Sequence, residues 1–509
     1  MTKKFSFRFV VIMLSLLTIV GINAALAQEE KTLVIGINAA PASLDALHEG
    51  GSIVNIRHYG MIYDTLVRTM ADASLAPMLA TEWSTEDGQV WVFQLREGVI
   101  LHDGSTMTAD DVVYSLDRVL AGEFPGSAQS QMAPYIAGVE ATGDLEVTIT
   151  ATQVDPNMPM RLASTTASIV PAEATAAAEY EDLLWAPIGS GPFKVAEYIE
   201  GDRLVLEAHD DYWMGAPDVD TVIIRYIPED ATRIAALQSG DVDFITTIQP
   251  DQVAQVEETE GLFVDTADVL NFMQVLINTN QAPLDDVNVR RAMSLSIDRE
   301  VLVNDLWSGY NRTMNEYLMP GEFGYDPELD LFPYDPDAAR AALEEAGYNG
   351  EPITFIAPVT YYTNMSIISD ALFAFWSEVG LNVDYQRVET EAWRNNLRGG
   401  GPGITIVSAG STGDPGLRSD FRGWFEGNYA DDQWTPTDEY TDLWDTGSAA
   451  LDLAERERLF RDLITIIDEE VLIIPMYQSV EFYGRRDGIN WEPNVRFAID
   501  LRPDVFSMD

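Results

Sequence analysis

Hydrophobic and polar residues alternate in short runs along the chain, and stretches with helical spacing separate these runs. Alternation with a period of two favours strands, whereas apolar residues three and four positions apart favour helices. Strand-like runs cover Thr32–Ile37, Val90–Leu95, Val147–Thr150, Leu204–Glu207, Val222–Tyr226 and Ile353–Ala357. The pattern therefore predicts a mixed α/β protein.

Two helices have recognisable ends in the sequence. Asp335-Pro336-Asp337 precedes the helical stretch Ala338–Ala346, and Gly347 follows it. An aspartate can cap a helix, proline suits its first turn, and glycine can close it in the left-handed conformation. Thr108-Ala109-Asp110-Asp111 places a hydroxyl and an acid at another helix start. Further short helices are predicted at Pro228–Gly240 and Asp298–Gly309.

Two glycine-containing strings predict tight backbone structure. In His102-Asp103-Gly104-Ser105, the glycine can supply a turn while the polar side chains bind local backbone groups. In Gly189-Ser190-Gly191-Pro192, the missing side chains suit a place where two backbone segments approach closely. We interpret both strings as scaffold and not as ligand contacts.

The N-terminal segment has the features of a secretory signal peptide. Lys3, Lys4 and Arg8 precede an apolar run from Phe9 to Val20, and Ala25-Leu26-Ala27 then offers a small-x-small cleavage site. We predict cleavage after Ala27. The chain contains no cysteine, so it can carry neither a lipid on a cysteine nor a disulfide. These features predict an exported, unlipidated protein of the periplasm.

The charge balance is extremely acidic. The chain has 83 acidic and 30 basic side chains, and removal of residues 1–27 leaves 27 of the basic ones and a net charge of −56. Such a surface repels nucleic acid and anionic lipid, and its self-repulsion lowers stability unless salt screens it. We expect a saline habitat, with an ordinary solvated acidic face as the alternative.

Sequence signatures of enzymes are missing. The chain has neither a G-x-S-x-G nucleophile elbow nor a G-x-G-x-x-G or G-x-x-x-x-G-K-[ST] phosphate loop. The four histidines, His48, His58, His102 and His209, show no H-E-x-x-H spacing. We therefore predict no catalytic residues, no cofactor and no metal site, and a secreted hydrolase is the alternative of a different class.

Strings along almost the whole chain beyond the N-terminal segment resemble the family 5 extracytoplasmic solute-binding proteins, which serve ABC importers. In the order and spacing of that family, they lie at Trp91–Gly122, Ile188–Val195 (IGSGPFKV), Asp210–Pro217 (DDYWMGAP), Ala235–Phe244 (AALQSGDVDF), Val289–Arg299 (VRRAMSLSIDR), Tyr334–Gly347 (YDPDAARAALEEAG) and Ala454–Tyr477.

The resemblance implies the two-lobed periplasmic binding protein fold of type II, in its large peptide-binding class. Residues 28–270 plus 480–509 would form lobe I, with an inserted subdomain at about 70–185, and residues 271–479 would form lobe II. A two-strand hinge would lie near Met273–Asn280 and Ile474–Glu481 and let the lobes close on ligand. An ABC permease and its ATPase subunits are the implied partners of a monomeric receptor.

The stretch Trp393–Trp424 holds the candidate ligand-binding residues. In peptide-binding relatives, this region runs from a tryptophan to a loop whose aspartate holds the α-ammonium of the peptide. Aligned on Ala409-Gly410, Asp414 takes that position; aligned on the Asp414-Pro415 pair, Ser411 does. The alternative for Asp414 is an Asp-Pro turn with a solvated carboxylate. The candidate ligand-binding residues are Trp393, Arg394, Gly410, Ser411, Thr412, Asp414 and Trp424.

The ligand class is left open between two alternatives. A short peptide or peptide-like amine follows from the family, and Arg394 could bind a ligand carboxylate in bidentate fashion. Departures from the family loop argue against a conventional peptide, because a serine alone cannot neutralise a buried ammonium, and an oligosaccharide or an opine-like compound is the alternative. Trp393, Trp424, Trp434 and Trp444 could stack on a sugar ring or simply fill the core.

Overall fold

A computed structural model describes residues 30–49, 53–122, 127–359, 364–398, 403–411, 413–418 and 434–509. The predicted signal peptide at 1–27 lies outside these ranges. In the ranges that the structure does describe, no helix combines the length and the apolar character needed to cross a bilayer.

The strands confirm the predicted mixed α/β class, and every predicted strand is present to within one or two residues at either end. In chain order they are β1 (Thr32–Ile37), β2 (Val67–Thr69), β3 (Leu75–Pro77), β4 (Ala80–Thr85), β5 (Val90–Leu95), β6 (Ile136–Gly143), β7 (Glu146–Ala151), β8 (Phe193–Ile199), β9 (Arg203–Ala208), β10 (Thr221–Tyr226), β11 (Phe244–Thr246), β12 (Leu262–Ile277), β13 (Arg312–Thr313), β14 (Ile353–Pro358), β15 (Val383–Val388), β16 (Ile404–Gly410), β17 (Ile473–Arg486), β18 (Ile489–Trp491) and β19 (Phe506–Met508).

One mixed sheet extends through the molecule in the order β15-β14-β16-β12-β17-β11-β1-β10-β9-β8, with β13 added to β17. The long antiparallel pair β12 and β17 lies at its middle. Its ladder joins Leu262–Asp268 to Val480–Arg486, and it continues from Phe272 to Leu276 after a register shift. The pair therefore connects the two halves of the sheet, and it overlaps the predicted hinge.

Separate hydrophobic clusters pack on the two halves of the sheet. One surrounds Ile35, Phe193 and Ile224, and it extends into the four-stranded sheet β4-β5-β7-β6 through Phe93. Another surrounds Phe355 and Trp376. The two cores agree with a two-lobed fold, while the exact lobe boundaries stay a prediction.

Helices flank the sheets and begin at capping residues where the sequence predicted them. Asp335 Oδ1 accepts hydrogen bonds from the amides of Asp337 and Ala338 at 3.1 and 2.9 Å, and Gly347 has a φ of 64°. Helices of six or more residues are Ile53–Ile62, Ala109–Ala121, Ser127–Met132, Ala172–Ala177, Asp230–Ser239, Val287–Leu295, Pro336–Glu345, Met365–Val379, Thr390–Arg398, Asp438–Ala449 and Leu453–Glu470. Shorter turns of α-helix lie at Ala46–Glu49, Met158–Arg161, Tyr180–Leu183, Val253–Glu257 and Arg299–Val301, and 3₁₀ turns at Thr165–Ala167, Pro250–Gln252 and Pro415–Leu417.

The predicted helix at Asp298–Gly309 differs from expectation. The segment begins as an α-helical turn at Arg299–Val301 and continues as a π-helical turn at Leu302–Leu306. Asp298 caps its start by accepting a hydrogen bond from the amide of Val301 at 2.9 Å. The π-helical turn was not predictable from the sequence, because over a single turn the spacing of apolar residues is nearly the same in an α-helix and in a π-helix.

Both glycine strings form the predicted tight structure. A Cβ atom on Gly189 would lie 2.2 Å from the carbonyl oxygen of Ile62, and one on Gly191 would lie 2.6 Å from the carbonyl carbon of Ile62. His102 joins the same junction, because its Nδ1 accepts a hydrogen bond from the amide of Gly189 at 3.0 Å. The prediction of a close backbone approach is confirmed.

Candidate functional site

A cavity of about 740 Å³ lies between segments of the two predicted lobes. Predicted lobe I contributes residues from the regions 56–78 and 130–168 and from the C-terminal segment 494–502, and predicted lobe II contributes Gly416, Leu417 and Arg418. Its volume falls in the range of roughly 300–1,000 Å³ that is usual for small-molecule sites. The cavity is therefore the candidate site.

The described lining of the cavity is strongly cationic. It contains five arginines and a single aspartate, Asp500, although acidic residues outnumber basic ones by 83 to 30 in the chain. The arginines are Arg68, Arg161, Arg418, Arg496 and Arg502. The cavity thus has a charge character opposite to that of the molecule as a whole.

Four of these arginines have carboxylate partners. Arg68 pairs with Asp504 and Arg161 with Asp155. Arg418, whose side chain is completely buried, donates to Glu322 at 3.1 Å and to the carbonyl of Tyr317 at 2.9 Å. Arg502 pairs with Asp64 at 2.8 Å and with Asp500 at 2.9 Å. Their charges are therefore neutralised within the protein.

The pair of Arg502 and Asp64 anchors the C-terminal segment to lobe I. Burial raises the pKa of Asp64, and Arg502 opposes that rise. Tyr212 and Trp213 donate further hydrogen bonds to the same carboxylate at 3.1 and 2.7 Å. Burial alone would lower the pKa of Arg502. The nearby Asp500, Tyr212 and Asp64 have the larger combined effect and hold the pKa of Arg502 well above its usual value. This network holds the C-terminal segment at Asp500 and Arg502 against Asp64.

Arg496 differs from the other four arginines. Its Nη1 atom is buried, and among the described residues it has no hydrogen-bond partner. Burial alone lowers the pKa of Arg496 to about 10, without an opposing carboxylate. Arg496 is therefore a partly desolvated cation in the cavity wall whose charge the described part of the chain leaves uncompensated.

Asp414, the predicted ammonium anchor, is buried beside the cavity-lining residue Gly416. Its Oδ1 accepts a hydrogen bond from Arg456 Nη2 at 2.7 Å, and its Oδ2 accepts one from Arg456 Nε at 3.2 Å. The amide of Gly416 donates to Oδ1 at 2.8 Å, which caps the turn Pro415–Leu417. The Asp-Pro turn is present, but the carboxylate is ion-paired and not solvated.

Asp414 also contacts predicted lobe I. Asn157 Nδ2 donates a hydrogen bond to Asp414 Oδ1 at 3.2 Å. The neighbouring Gly413 packs against the same side. A Cβ atom on Gly413 would lie 3.6 Å from the Cε atom of Met160 and 3.7 Å from the carbonyl oxygen of Ala73. The loop that ends at Asp414 therefore packs directly against the opposite side of the cavity.

The other predicted site residues are distributed around this loop. Gly410 ends β16, and Ser411 follows with its Oγ accepting a hydrogen bond from the amide of Gly413 at 3.0 Å. Trp393 is 3% exposed and packs with Leu276 and Val407 in a small cluster. Its indole donates to Thr405 Oγ1 at 2.9 Å. None of these three residues lines the described cavity.

Arg394 lies in the helix Thr390–Arg398 and is half-buried. Thr412 and Trp424 fall outside the described residues. Trp434 and Trp444, which were open to a sugar-stacking role, pack with a hydrophobic cluster that contains Tyr440 and Phe460. The contacts of the predicted residues with ligand stay a prediction.

Sequence reasoning missed Arg496, because nothing in the string around it indicates a cavity. Arg496 differs from the other arginines of the lining in having no carboxylate partner in the described chain. This difference is visible only in the structure, because the partners of the other arginines lie up to 438 positions away in the sequence. No group of three or more metal-ligating side chains is found within the described ranges.

Comparison with known proteins shows the family. The family of bacterial extracellular solute-binding proteins, family 5 Middle, matches residues 74–431 of the chain. This match extends over more than half of the sequence. The chain belongs to the family 5 extracellular solute-binding proteins, and members of this family are non-enzymatic binding receptors of ABC transporters.

Relatives of known name are similar over most of their length. The chain is 27% identical to heme-binding protein A of Haemophilus influenzae over 451 residues, which cover 83% of this chain and 82% of the relative. It is 28% identical to the dipeptide-binding protein of Escherichia coli, with 80% of both chains covered.

Solved structures show the same fold. A periplasmic binding protein from Helicobacter pylori, in complex with the peptide STSA, superposes with a TM-score of 0.79 at 22% identity, and it covers 94% of this chain and 99% of its own. A periplasmic binding protein from Agrobacterium tumefaciens in complex with agropinic acid gives 0.78 at 24% identity, with 94% and 99% covered. The two-lobed fold that the sequence predicted is confirmed.

Proposed function

We propose that this receptor binds a peptide or peptide-like solute in the cavity of about 740 Å³ between its lobes and delivers it to an ABC permease. The cavity carries the proposal, because segments of both predicted lobes line it. Relatives named for dipeptides and oligopeptides support the peptide class. An oligosaccharide or opine-like ligand is the alternative within the same fold.

Capture follows a shift of population between open and closed forms. A ligand that contacts both lobes binds the closed form better, and only such a difference in affinity can move the equilibrium. In the structure, the Asn157–Asp414 hydrogen bond and the packing of Gly413 against Met160 join the two sides of the cavity. We propose these contacts as features of the closed form, with lobes at 28–270 plus 480–509 and at 271–479.

Gly410, Ser411 and Asp414 lie outside the described lining of the cavity, and we propose that their loop adjoins the bound solute next to Gly416. Ser411 and Thr412 would offer hydroxyl groups to ligand there, while Asp414 would act mainly by holding the loop through Arg456. Trp393, Arg394 and Trp424 complete the proposed set. Because Trp393 is buried, it would contact ligand only after a local opening of its cluster with Val407.

We further propose that the receptor is exported by the signal peptide at 1–27, is not lipidated, and acts in the periplasm as a monomer. The basic and apolar segments before Ala27 and the absence of cysteine support this localisation. The permease and ATPase partners follow from the family.

Native mass spectrometry of the purified protein tests the ligand class directly. We expect a co-purified small molecule, and calorimetric titration with a panel of di- and tripeptides should then find at least one that binds tightly. Binding of an oligosaccharide with no peptide response would contradict the peptide class.

X-ray scattering tests closure on the same samples. Saturation with the ligand so found should reduce the radius of gyration, since the open form is longer than the closed one. An identical radius with and without tightly bound ligand would contradict the closing mechanism.

A further inference from the structure

The charge of Arg496 is the feature of the cavity that the internal contacts of the described chain do not explain. The other four arginines of the lining each face a carboxylate, whereas the guanidinium of Arg496 has neither an ion pair nor a hydrogen bond there. Burying a cation without a partner is unfavourable, and removal from water of even part of the group weakens the charged form. An anion from outside the protein would restore the balance.

The backbone around Arg496 is held in a constrained conformation. The amide of Arg496 donates to Asn494 Oδ1 at 2.7 Å, and Phe497 has a φ of 66°, in the left-handed region. Such a conformation is strained in a residue other than glycine and persists only where the surrounding structure enforces it. The carbonyl of Val495 accepts a hydrogen bond from the amide of Leu270 at 3.0 Å, which ties this segment to β12. The backbone from which Arg496 extends into the cavity wall is therefore held by the fold in advance of binding.

The carboxylates near the cavity are already engaged. Asp500, the acidic residue of the described lining, pairs with Arg502 at 2.9 Å. Asp414 pairs with Arg456 at 2.7 Å. A ligand ammonium would thus find both of these carboxylates already paired with arginines of the protein. A ligand carboxylate, by contrast, would meet Arg496.

We propose that Arg496 binds a carboxylate of the solute, so that the receptor prefers solutes of net negative charge over neutral ones of the same shape. The inference rests on the proposed role of the cavity as the solute site, and it narrows the ligand class. A planar guanidinium can donate two parallel hydrogen bonds to a carboxylate, which gives both affinity and a fixed orientation.

Two matched pairs of probes test this preference by calorimetric titration at one ionic strength. The peptide pair is Ala-Glu and Ala-Gln, and the non-peptide pair is succinate and succinamate. In each pair a carboxylate is replaced by an amide of nearly the same shape. We expect the acidic member to bind about tenfold more tightly or better, because hydrogen bonds to charged groups are stronger than neutral ones.

Variants assign the preference to Arg496. Arg496→Gln should reduce the ratio of affinities to about one, and Arg496→Lys should retain part of it by keeping the charge without the fork of donors. Arg203→Gln is the matched control. It removes the same charge from strand β9, where Arg203 forms an exposed pair with Glu197 of β8 outside the cavity lining, and it should leave the ratio of affinities unchanged.

Melting of the ligand-free variants separates recognition from a structural role. Arg496→Gln should melt at or above the wild-type temperature, because it removes a buried charge that has no described partner. A clear loss of stability in both Arg496→Gln and Arg496→Lys would mean that Arg496 supports the fold, and the inference would be wrong.

The outcomes for the inference and for the peptide class are distinguishable. Both peptides share the C-terminal carboxylate, so equal binding of Ala-Glu and Ala-Gln would overturn the preference for net negative charge and leave a peptide receptor. Equal binding that is also unchanged in Arg496→Gln would overturn any role of Arg496 in binding a carboxylate. Preferential binding of succinate, lost in Arg496→Gln, with no response to either peptide would support Arg496 and overturn the peptide class. A preference that persists in Arg496→Gln contradicts the inference, and failure of all four probes at millimolar concentration contradicts both proposals.

Discussion

At the scale of single residues, partners decide what a charged side chain does. Asp414 was predictable as a residue of interest from its loop, but its sequence neighbours do not include Arg456, which lies 42 positions away in the helix Leu453–Glu470. The two side chains meet because the end of β16 and that helix contribute to one hydrophobic cluster, which contains Ala409 and Phe460. The sequence therefore indicated the position of Asp414 and left its partner unknown.

Replacing Asp414 tests the importance of that partner. Asp414→Ala should lower the free energy of unfolding by roughly 3–5 kcal/mol, because it leaves Arg456 buried without its carboxylate. Arg456 has a side chain that is 1% exposed. Denaturant unfolding of the ligand-free protein measures the loss.

The same helix offers a control for this substitution. Asp462→Ala breaks the exposed i,i+4 pair with Arg458 and should cost well under 1 kcal/mol. A similar small loss for Asp414→Ala, together with a large loss of ligand affinity, would instead make Asp414 a ligand anchor.

His58 gives stability a dependence on pH. Burial is the main cause that lowers its pKa from 6.5 to about 4, and the neighbouring Arg57 acts in the same direction, while a hydrogen bond to the carbonyl of Val54 opposes both. The lowered pKa means that the unfolded chain takes up a proton first. The contribution of neutral His58 to the free energy of unfolding is therefore complete above about pH 6.5, and it is lost as the pH falls toward 4.

Comparison of the wild-type protein with His58→Gln isolates this effect from that of the many carboxylates. Between pH 7.5 and 5, the wild type should lose about 2 kcal/mol more unfolding free energy than the variant, at roughly 1.4 kcal/mol per pH unit below the unfolded pKa. Parallel curves for the two proteins would show that His58 takes up a proton in the folded state as readily as in the unfolded one.

At the scale of elements, the junction at Gly189–Pro192 shows what local sequence can specify. Its glycines were interpretable because close backbone contact excludes every side chain. The partner of the junction, the helix end at Ile62, was not predictable, since 127 positions separate it from Gly189. Helix caps such as Asp335 were predictable for a related reason: the capping carboxylate and the amides that donate to it are neighbours in the chain.

Adding a methyl group at this junction should be destabilising. Gly191→Ala would place Cβ at 2.6 Å from the carbonyl carbon of Ile62 and at 2.6 Å from the amide nitrogen of Tyr63, both of them backbone atoms that no rotamer change can move. We expect a loss of about 1–3 kcal/mol or more in a thermal or denaturant unfolding experiment.

Gly138 in β6 supplies the comparison, because a Cβ there has nothing within 4 Å. Gly138→Ala should change stability little or raise it slightly through the unfolded chain. Equal effects at Gly138 and Gly191 would contradict the steric explanation.

At the scale of the whole molecule, the net charge of −53 governs the response to salt. Repulsion among exposed carboxylates acts over the Debye length, which falls from about 10 Å at 0.1 M to about 3 Å at 1 M ionic strength. The melting temperature of the protein should therefore rise as NaCl is added. Sucrose at matched osmolality is the control, and a melting temperature that falls or does not respond to NaCl would remove the argument for a saline habitat.

The two-lobed architecture was predictable from the sequence through family resemblance, and local periodicity supplied most strands. The order of the strands in the sheet was not predictable from periodicity, because β12 pairs with β16 and β17 from the far end of the chain. The cavity was likewise hidden, since its lining combines residues 56–168 with residues 416–418 and 494–502. Long-range packing determines both the strand order and the cavity, and the hydrophobic pattern of the sequence does not specify which distant segments meet.

The irregular step in the ladder between β12 and β17 has a mechanical consequence. Between Asp268 and Phe272 the regular pairing is interrupted, and Leu270 instead binds the cavity segments on both sides: its amide donates to Val495, and its carbonyl accepts from Ser411 at 2.9 Å. A sheet bends most easily where its ladder is already broken. The interrupted part of the β12–β17 ladder, which overlaps the predicted hinge, is thus hydrogen-bonded to the neighbours of Arg496 and of Asp414. A solute bound in the cavity would therefore restrict bending of the hinge that closes over that solute.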